Sequence, residues 1–178
     1  MSGVGEAQAV PAISEAAAWQ ALSQVLDPEL PLLSVLELGI VRSLRVDDGV
    51  VHVSVTPTYT ACPATEVIQD ALRAALLSAG ASAVRIELQY APAWSTDWIA
   101  PQAAEKLRRY GIAAPHPVAS GSVENRAAMP LRFHPRPVRC PRCDSPSTEQ
   151  LSAFGSTACK ALYRCLACRE PFEYFKPI

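Results

Sequence analysis

Residues 140–168 read CPRCDSPSTEQLSAFGSTACKALYRCLAC. The stretch opens and closes on a Cys-x-x-Cys pair, Cys140 with Cys143 and Cys165 with Cys168. Two intervening residues let both thiolates of a pair reach one ion, and two such pairs complete a tetrahedron. The spacing therefore predicts one metal ion held by four cysteines. Zinc is favoured over iron because four thiolates leave no open coordination position, which is the closed arrangement of structural zinc.

The C-terminal segment 136–178 is predicted to be a small domain organised around this metal, a zinc ribbon. So short a segment cannot build an independent hydrophobic core, and a bound metal would supply the stability that burial cannot. Two alternatives for the same residues are four free thiols and a redox pair. The ligand interpretation implies a structural rather than a catalytic metal.

Charge and hydropathy argue against several classes of protein. The 16 basic and 17 acidic side chains give a formal net charge of -1, which disfavours nucleic acid or an anionic membrane as the main partner. Residues 1–41 contain no Lys or Arg, so a secretory signal is not expected. No run is apolar enough for a transmembrane helix. We expect a cytoplasmic protein with reduced cysteines, and a locally cationic stretch over residues 101–143.

Hydrophobic periodicity predicts an α+β domain over residues 14–114, between a flexible tail at 1–13 and a proline-rich linker at 115–135. A tight-turn signal, Asp47-Asp48-Gly49, joins two alternating β-branched runs into a hairpin. The predicted elements are a helix capped by Ser14 and ended by Pro28, a hairpin of strands 40–46 and 50–56, a helix from Pro63 to Gly80, a strand at 84–89 and a helix at 101–110.

Two cysteines lie outside the Cys-x-x-Cys pairs. Cys62 directly precedes Pro63 at a predicted helix start, where unpaired N–H groups and the helix dipole favour a thiolate. This placement predicts a reactive or metal-handling thiol, with packing under Tyr59 as the alternative. Cys159 is interpreted as a small buried or turn residue, and an additional metal-handling thiol is the alternative.

No other set of residues predicts catalysis. Asp27 and Glu29 form a carboxylate pair near a turn, which we expect to be solvated rather than an acid–base pair. Trp94 and Trp98 could line a ligand site, although such a pair more often anchors a core. The chain contains no glycine-rich phosphate loop. We therefore do not expect an enzyme.

Several segments resemble a known family. They are DPELP at 27–31, LGIV at 38–41, TPTYTACPA at 56–64, PAWSTDWI at 92–99, RYGIAAP at 109–115 and EQLSAFGSTACKALYRC at 149–165. The first four are similar to the small domain of SufT-like iron–sulfur assembly factors. The last two narrow the resemblance to the D subunit of the phenylacetyl-CoA epoxidase system, and it extends over residues 14–178. The chain departs from this family at Pro177, where a further cysteine is expected.

The resemblance implies an accessory protein of bacterial phenylacetate catabolism. It assigns Cys62, Asp27, Glu29 and Thr60 to a reactive or cluster-handling site that carries a transient iron–sulfur cluster. The implied partners are epoxidase subunits, above all the iron–sulfur reductase, without nucleic acid or membrane, and formation of a homodimer is left open. Two hypotheses follow, a cluster maturation factor and a non-catalytic scaffold that docks the oxygenase. A strict requirement for Cys62 distinguishes them.

Overall fold

The computed structural model describes residues 13–59, 62–116 and 137–178. The chain divides after Pro92 into two compact units, which we call the N-terminal and the C-terminal unit. The mixture of helices and two sheets confirms the predicted α+β fold class. The elements are α1 (Glu15–Ser23), β1 (Val41–Asp47), β2 (Val50–Val55), α2 (Ala64–Ser78), β3 (Ala83–Leu88), a 3₁₀ turn (Thr96–Trp98), α3 (Pro101–Tyr110), β4 (Ile112–Ala113), β5 (Thr148–Ser152), β6 (Lys160–Cys165) and β7 (Pro171–Phe175).

The N-terminal unit is built on a three-stranded sheet in the order β1-β2-β3. β1 and β2 form the predicted antiparallel hairpin. Asp48 and Gly49 at its turn both have positive φ, 47° and 78°, as a two-residue turn of matching twist requires. β3 pairs with β2 in parallel, and α2 provides the crossover between them. The parallel pair thus places the start of α2 directly after β2 and its short loop.

The core of this unit lies between one face of the sheet and the two helices. Val51, Val53 and Val55 alternate along β2 and are at most 2% exposed, so the predicted inward face is confirmed. Leu72 and Leu76 of α2 are fully buried and one turn apart. Ser14 caps α1 as predicted, because its Oγ accepts the N–H of Ala17 at 3.1 Å. The helix ends at Ser23, earlier than expected.

The C-terminal unit contains a four-stranded sheet in the order β4-β7-β6-β5. Its first strand, β4, follows α3 directly, because Gly111 ends the helix in a left-handed conformation with φ 89°. β4 pairs in parallel with β7. The indole of Trp94 is 3% exposed and packs against Phe175 with ring centroids 6.1 Å apart, so it anchors this core. The N–H of Thr96 donates to the carbonyl oxygen of Ile178 at 3.1 Å.

These contacts place residues 93–113 in the same unit as the ribbon, whereas the sequence analysis placed them in the first domain. The reason is physical: β4 and Trp94 find hydrogen-bond and packing partners on β7. Of the predicted tail at 1–13 only Ile13 is described, and it is buried. Of the predicted linker at 115–135 only residues 115–116 lie within the described ranges. No helix in the described parts of the chain is long and apolar enough to cross a membrane.

Candidate metal centre and reactive cysteine

Two loops with the same backbone geometry present the four predicted metal ligands. In the first loop the N–H of Asp144 donates to the carbonyl oxygen of Cys140 at 2.9 Å, and in the second the N–H of Arg169 donates to that of Cys165 at 3.1 Å. Asp144 and Arg169 both have positive φ, 60° and 68°. The N–H of the first cysteine in each loop donates to the carbonyl five residues later, at 3.0 Å in both cases. The two loops therefore form a matched pair.

The four sulfur atoms converge on one point. All of them lie within 4.8 Å of one another, with 3.7 Å between Cys140 and Cys168 and 3.6 Å between Cys143 and Cys165. Zinc–sulfur bonds of about 2.3 Å in a tetrahedron place the sulfurs about 3.8 Å apart, whereas a disulfide requires about 2.05 Å. The arrangement therefore fits a tetrahedral metal site and is too wide for disulfides.

The backbone around these cysteines affects their protonation unequally. The N–H of Cys168 points at the sulfur of Cys165 at 3.5 Å and lowers the pKa of Cys165 to about 6. The backbone N–H of Glu170 favours the thiolate of Cys168, but desolvation and the neighbouring thiols outweigh it and raise the pKa of Cys168 to about 12. Four thiolates so close together repel one another, and a bound cation removes that repulsion. Metal binding should therefore release protons.

The apolar core beside the metal ligands is small. It consists of the two buried cysteines and four other buried side chains, with Tyr163 packed against them: Ala113, Val138, Cys140, Cys165, Phe172 and Tyr174. Tyr163 stacks on Phe172 at 5.8 Å and meets Tyr174 edge-on at 5.7 Å between ring centroids. Two of the six members, Cys140 and Cys165, belong to the four-cysteine group, so a metal bound there would be part of this core.

The sequence analysis missed a buried ion pair in this unit. The Lys160 side chain is 4% exposed, and its Nζ lies 2.9 Å from Oε2 of Glu173. The N–H of Ser156 donates to Oε1 of the same carboxylate at 2.6 Å. Desolvation opposes ionisation, but these two hydrogen bonds hold the pKa of Glu173 below its ordinary value. A Cβ on Gly155 would lie 2.6 Å from that Oε1, so a larger residue there would displace the Glu173 carboxylate.

Cys62 lies at the start of α2, as the sequence predicted. Pro63 has helical φ and ψ of -66° and -22°, but it caps the helix and Ala64 is the first helical residue. The N–H of Cys62 donates to the carbonyl of Tyr59 at 3.1 Å, and the carbonyl of Cys62 accepts the N–H of Thr65 at 3.2 Å. The Cys62 side chain is partly exposed. Among the six cysteines it is the only one that is neither buried nor part of the four-sulfur group.

The carboxylates assigned to the cluster-handling site have different surroundings from those expected. Asp27 is 7% exposed, so the expectation of a solvated carboxylate is wrong for this residue. Its Oδ1 accepts the N–H groups of Glu29 and Leu30, both at 2.8 Å, which fixes the turn after α1. Thr60 lies outside the described residues. Within the described ranges, Asp27, Glu29 and Cys62 do not form a second group of three convergent metal ligands.

Cys159 lies apart from the metal ligands. Its side chain is 6% exposed, and its sulfur is 3.1 Å from Oγ1 of Thr157. Its carbonyl oxygen accepts the N–H of Lys176 across the β6–β7 ladder at 3.0 Å. These contacts are those of a buried residue that packs in the sheet.

Comparison with known proteins assigns a class to each unit. The family model described as iron–sulfur cluster assembly protein matches residues 15–88, and that of the PaaD zinc beta ribbon domain matches residues 125–176. The chain is 49% identical over 162 residues to the D subunit of 1,2-phenylacetyl-CoA epoxidase from Escherichia coli, and the match covers 90% of this chain and 91% of that protein.

Two further proteins each match about half of the chain. An Fe-S protein maturation auxiliary factor from Porphyromonas gingivalis is 35% identical over 88 residues, which cover 48% of this chain and 83% of that protein. The structure of a conserved hypothetical protein from Thermotoga maritima is 30% identical with a TM-score of 0.49, and the match covers 56% of this chain and 98% of that one.

The fold and the two matched families define the class of protein, an iron–sulfur assembly domain followed by a zinc ribbon. This combination confirms the resemblance drawn from the sequence segments. The extent of the match to the Escherichia coli protein then fixes the family. The chain belongs to the PaaD family of 1,2-phenylacetyl-CoA epoxidase subunits.

Proposed function

We propose that this chain is a maturation factor of the phenylacetyl-CoA epoxidase system, which supports assembly of an iron–sulfur cluster in the reductase component. An accessory role in phenylacetate catabolism and iron–sulfur handling follows from the relatives, which are named as an epoxidase subunit and as Fe-S maturation auxiliary factors. The assignment of the reductase as client, and of Cys62 as the acting thiol, is our own. The chain itself would not turn over substrate.

The placement of Cys62 is the observation that carries this proposal. The thiol lies within the residues that the iron–sulfur assembly family matches, at a helix start, and partly exposed. Cysteine sulfur is the protein ligand of iron–sulfur clusters, and a partly exposed thiol can be reached by one. The other five cysteines belong to the metal group or are buried in the C-terminal sheet.

A single protein ligand suits a cluster that is passed on rather than kept. A resident cluster is held by about four cysteine ligands. Cys62, Asp27 and Glu29 do not form a convergent group of three in the described structure. The Cys62 thiolate would bind iron of the arriving cluster, and a cysteine of the reductase would later replace it. The exchange changes ligands only, with no change of oxidation state.

The metal of the C-terminal unit has a different part in this proposal. We assign it to zinc, which the four thiolates at tetrahedral spacing suit and which is redox-inert. Zinc bound by Cys140, Cys143, Cys165 and Cys168 would have no open position, so it stabilises the unit and takes no part in cluster chemistry.

Anaerobic cluster transfer tests the proposal directly. Zinc-loaded chain would be incubated with ferric iron, a thiol reductant and sulfide, freed of excess reagents, and mixed with cluster-free reductase, whose activity reports cluster arrival. We expect transfer by the wild type and by Cys159→Ala, the matched control that removes a cysteine outside the metal group. Cys62→Ala should transfer nothing while retaining its zinc.

Transfer by Cys62→Ala at the wild-type rate would refute the maturation role. The scaffold hypothesis would then stand, because docking of the oxygenase does not require this thiol. Alkylation provides a second check on the same residue. In the zinc-loaded protein iodoacetamide should label Cys62 first, since the other exposed sulfurs are bound to metal.

A further inference from the structure

The two units carry charge of opposite sign. Residues 1–92 contain 4 Lys or Arg and 10 Asp or Glu, whereas residues 93–178 contain 12 Lys or Arg and 7 Asp or Glu. The formal charges are therefore -6 and +5, although the whole chain has only -1. Such segregation identifies the C-terminal unit as the one that attracts anionic partners.

Part of this positive charge surrounds one open cavity. The cavity has a volume of about 340 Å³ and lies where the last turn of α3 meets the first cysteine loop. We call it the basic pocket. Its lining consists of three arginines and three other residues: Arg108, Arg109, Tyr110, Gly111, Pro141 and Arg142.

The arginines of the basic pocket have a surplus of positive charge. Glu105 accepts from Nε of both Arg108 and Arg109, each at 3.0 Å, so one carboxylate serves two guanidinium groups. These bonds use the Nε atoms, so a further carboxylate would bind end-on through the terminal nitrogens. Arg142 is exposed and has no ion-pair partner in the described parts of the chain. Asp144 also attracts Arg108, but its carboxylate is paired with Arg139 at 3.1 Å. Glu105 is therefore the main local counter-charge to the three guanidinium groups.

The basic pocket lies between a helix end and the first cysteine loop. Gly111 ends α3 in the left-handed conformation that leads directly into β4. Arg142 lies between Cys140 and Cys143, two ligands of the metal site. Tyr110 adds an aromatic ring that is 63% exposed. Exposed arginines and aromatic rings are enriched in protein interfaces.

We propose that the basic pocket docks an acidic segment of a protein partner, with carboxylates bound by Arg109 and Arg142 and an apolar side chain against Tyr110. The identity of that partner as an epoxidase component rests on the proposed function. An open pocket on a cationic unit fits a carboxylate-rich surface, because such contacts steer association and need no deep cavity. The occupant is therefore a protein surface rather than a buried small molecule.

Binding of full-length, zinc-loaded chain to purified reductase tests this inference. The double variant Arg109→Glu with Arg142→Glu reverses two charges of the pocket and should raise the dissociation constant about tenfold at low ionic strength. The difference should shrink at about 1 M salt, where the Debye length is about 3 Å. Arg73→Glu is the matched control, since Arg73 is exposed, paired with one carboxylate, and located in the N-terminal unit. It should bind like the wild type.

A second pair of variants guards against disturbance of the metal site. Arg109→Lys with Arg142→Lys keeps the charge and should retain most of the affinity, and zinc content is measured for every variant. Wild-type affinity in the double Glu variant, or equal losses in the Arg73→Glu control, would overturn the docking site. Tight binding of coenzyme A that the double Glu variant abolishes, with reductase binding unchanged, would reassign the pocket to a small anion and overturn it as well.

The reductase-binding experiment and the cluster-transfer experiment can be told apart by one variant. Cys62→Ala leaves the basic pocket intact and should bind the reductase as the wild type does, although it should not transfer a cluster. Transfer by Cys62→Ala would remove the maturation role without affecting the binding result. Absence of wild-type binding to the reductase, with Cys62-dependent cluster transfer still observed, would overturn the docking site and leave the proposed function standing.

Discussion

The N-terminal unit encloses Val51, Val53 and Val55 between a sheet and two helices, whereas the C-terminal unit surrounds four cysteine sulfurs with a handful of apolar side chains. In the first unit, stability comes from buried area, at about 25 cal/mol for each Å² of apolar surface. In the second, two of the six residues in the apolar cluster beside the sulfurs belong to the four-cysteine group, and Trp94 and Phe175 form a further packed pair. We therefore expect folding and metal binding to be coupled in the C-terminal unit, whereas the described residues of the N-terminal unit contain no such group of ligands.

The two units also differ in the kind of cysteine that each one carries. The N-terminal unit carries the partly exposed Cys62, and the C-terminal unit carries the four-cysteine group and the buried Cys159. A closed four-thiolate site cannot exchange its ion readily, so it suits a scaffold. A thiol on an independently stable unit can react without loss of the fold. Perturbations of the two units should therefore have separate effects.

Loss of the metal should have the largest effect. Structural zinc contributes about 10–16 kcal/mol of apparent binding free energy, which is folding free energy in such a small unit. Cys165→Ser, or chelation of the wild type, should therefore unfold the C-terminal unit. Hydrogen exchange should accelerate over residues 93–116 and 137–178, including α3 and β4, while residues 13–59 and 62–88 stay protected. Cys159→Ser is the control that should keep its metal.

Two results would contradict this prediction. Protection of α3 and β4 after chelation would show that residues 93–113 fold with the N-terminal unit, as the sequence periodicity alone suggested. Acceleration in β1, β2 and α2 would show that the two units are thermodynamically coupled.

Truncation of a core side chain in the N-terminal unit should destabilise that unit and leave the C-terminal unit unchanged. Leu76 of α2 is fully buried, and Leu76→Ala should lower the free energy of unfolding of the N-terminal unit by about 2–5 kcal/mol through lost burial and the cavity left behind. The zinc content and the unfolding of the C-terminal unit should not change. Leu77→Ala is the matched control, because Leu77 is its neighbour on the helix and 46% exposed. A loss of zinc in Leu76→Ala would show that the stabilities of the two units are coupled.

The ion pair of Lys160 and Glu173 should give a smaller and pH-dependent effect on the C-terminal unit. Lys160→Ala leaves a partly buried carboxylate without its cation and should cost about 2–4 kcal/mol. Glu173 has a folded-state pKa below its ordinary value, so its contribution is present above the unfolded pKa and is lost as the pH falls. The stability difference between wild type and Glu173→Gln should be constant near neutral pH and fade below about pH 4.

Metal release at acid pH should affect the wild type and Glu173→Gln equally. The difference between their free energies of unfolding therefore reports the Glu173 carboxylate alone. A difference that grows as the pH falls would contradict the sign of the pKa shift. Glu149→Gln provides the exposed control, since its partner Arg164 and its own side chain are both about half exposed.

Local patterns explain which parts of the fold were predictable. The alternation of Val51, Val53 and Val55, the Asp48-Gly49 turn and the period of α2 each involve residues close in sequence, and the structure has the corresponding elements. β4 has only two residues, Ile112–Ala113, and so carries no pattern of its own. Its partner β7 lies far along the chain. Only the tertiary pairing reveals that it belongs with the ribbon.

In the candidate site too, local motifs could be predicted and long-range contacts could not. Each cysteine pair is a local motif, and the convergence of two motifs follows from the coordination that one ion requires. The buried pair of Lys160 and Glu173 depends on the register of β6 and β7, which places Leu162 opposite Glu173 and Lys160 diagonally beside it. The turn-capping role of Asp27 likewise depends on burial that the sequence does not display. Long-range register and burial are therefore what the sequence alone could not supply.

The iron and sulfide content of the reductase, purified from cells in which Cys62→Ala replaces the wild-type chain, tests the central claim most directly. The account predicts reductase that has lost most of its cluster, poor growth on phenylacetate, and a variant chain that still carries one zinc. Cells with Cys159→Ala should yield fully loaded reductase. Reductase with full cluster content from the Cys62→Ala cells would contradict the account, because the thiol of the N-terminal unit would then have no part in maturation.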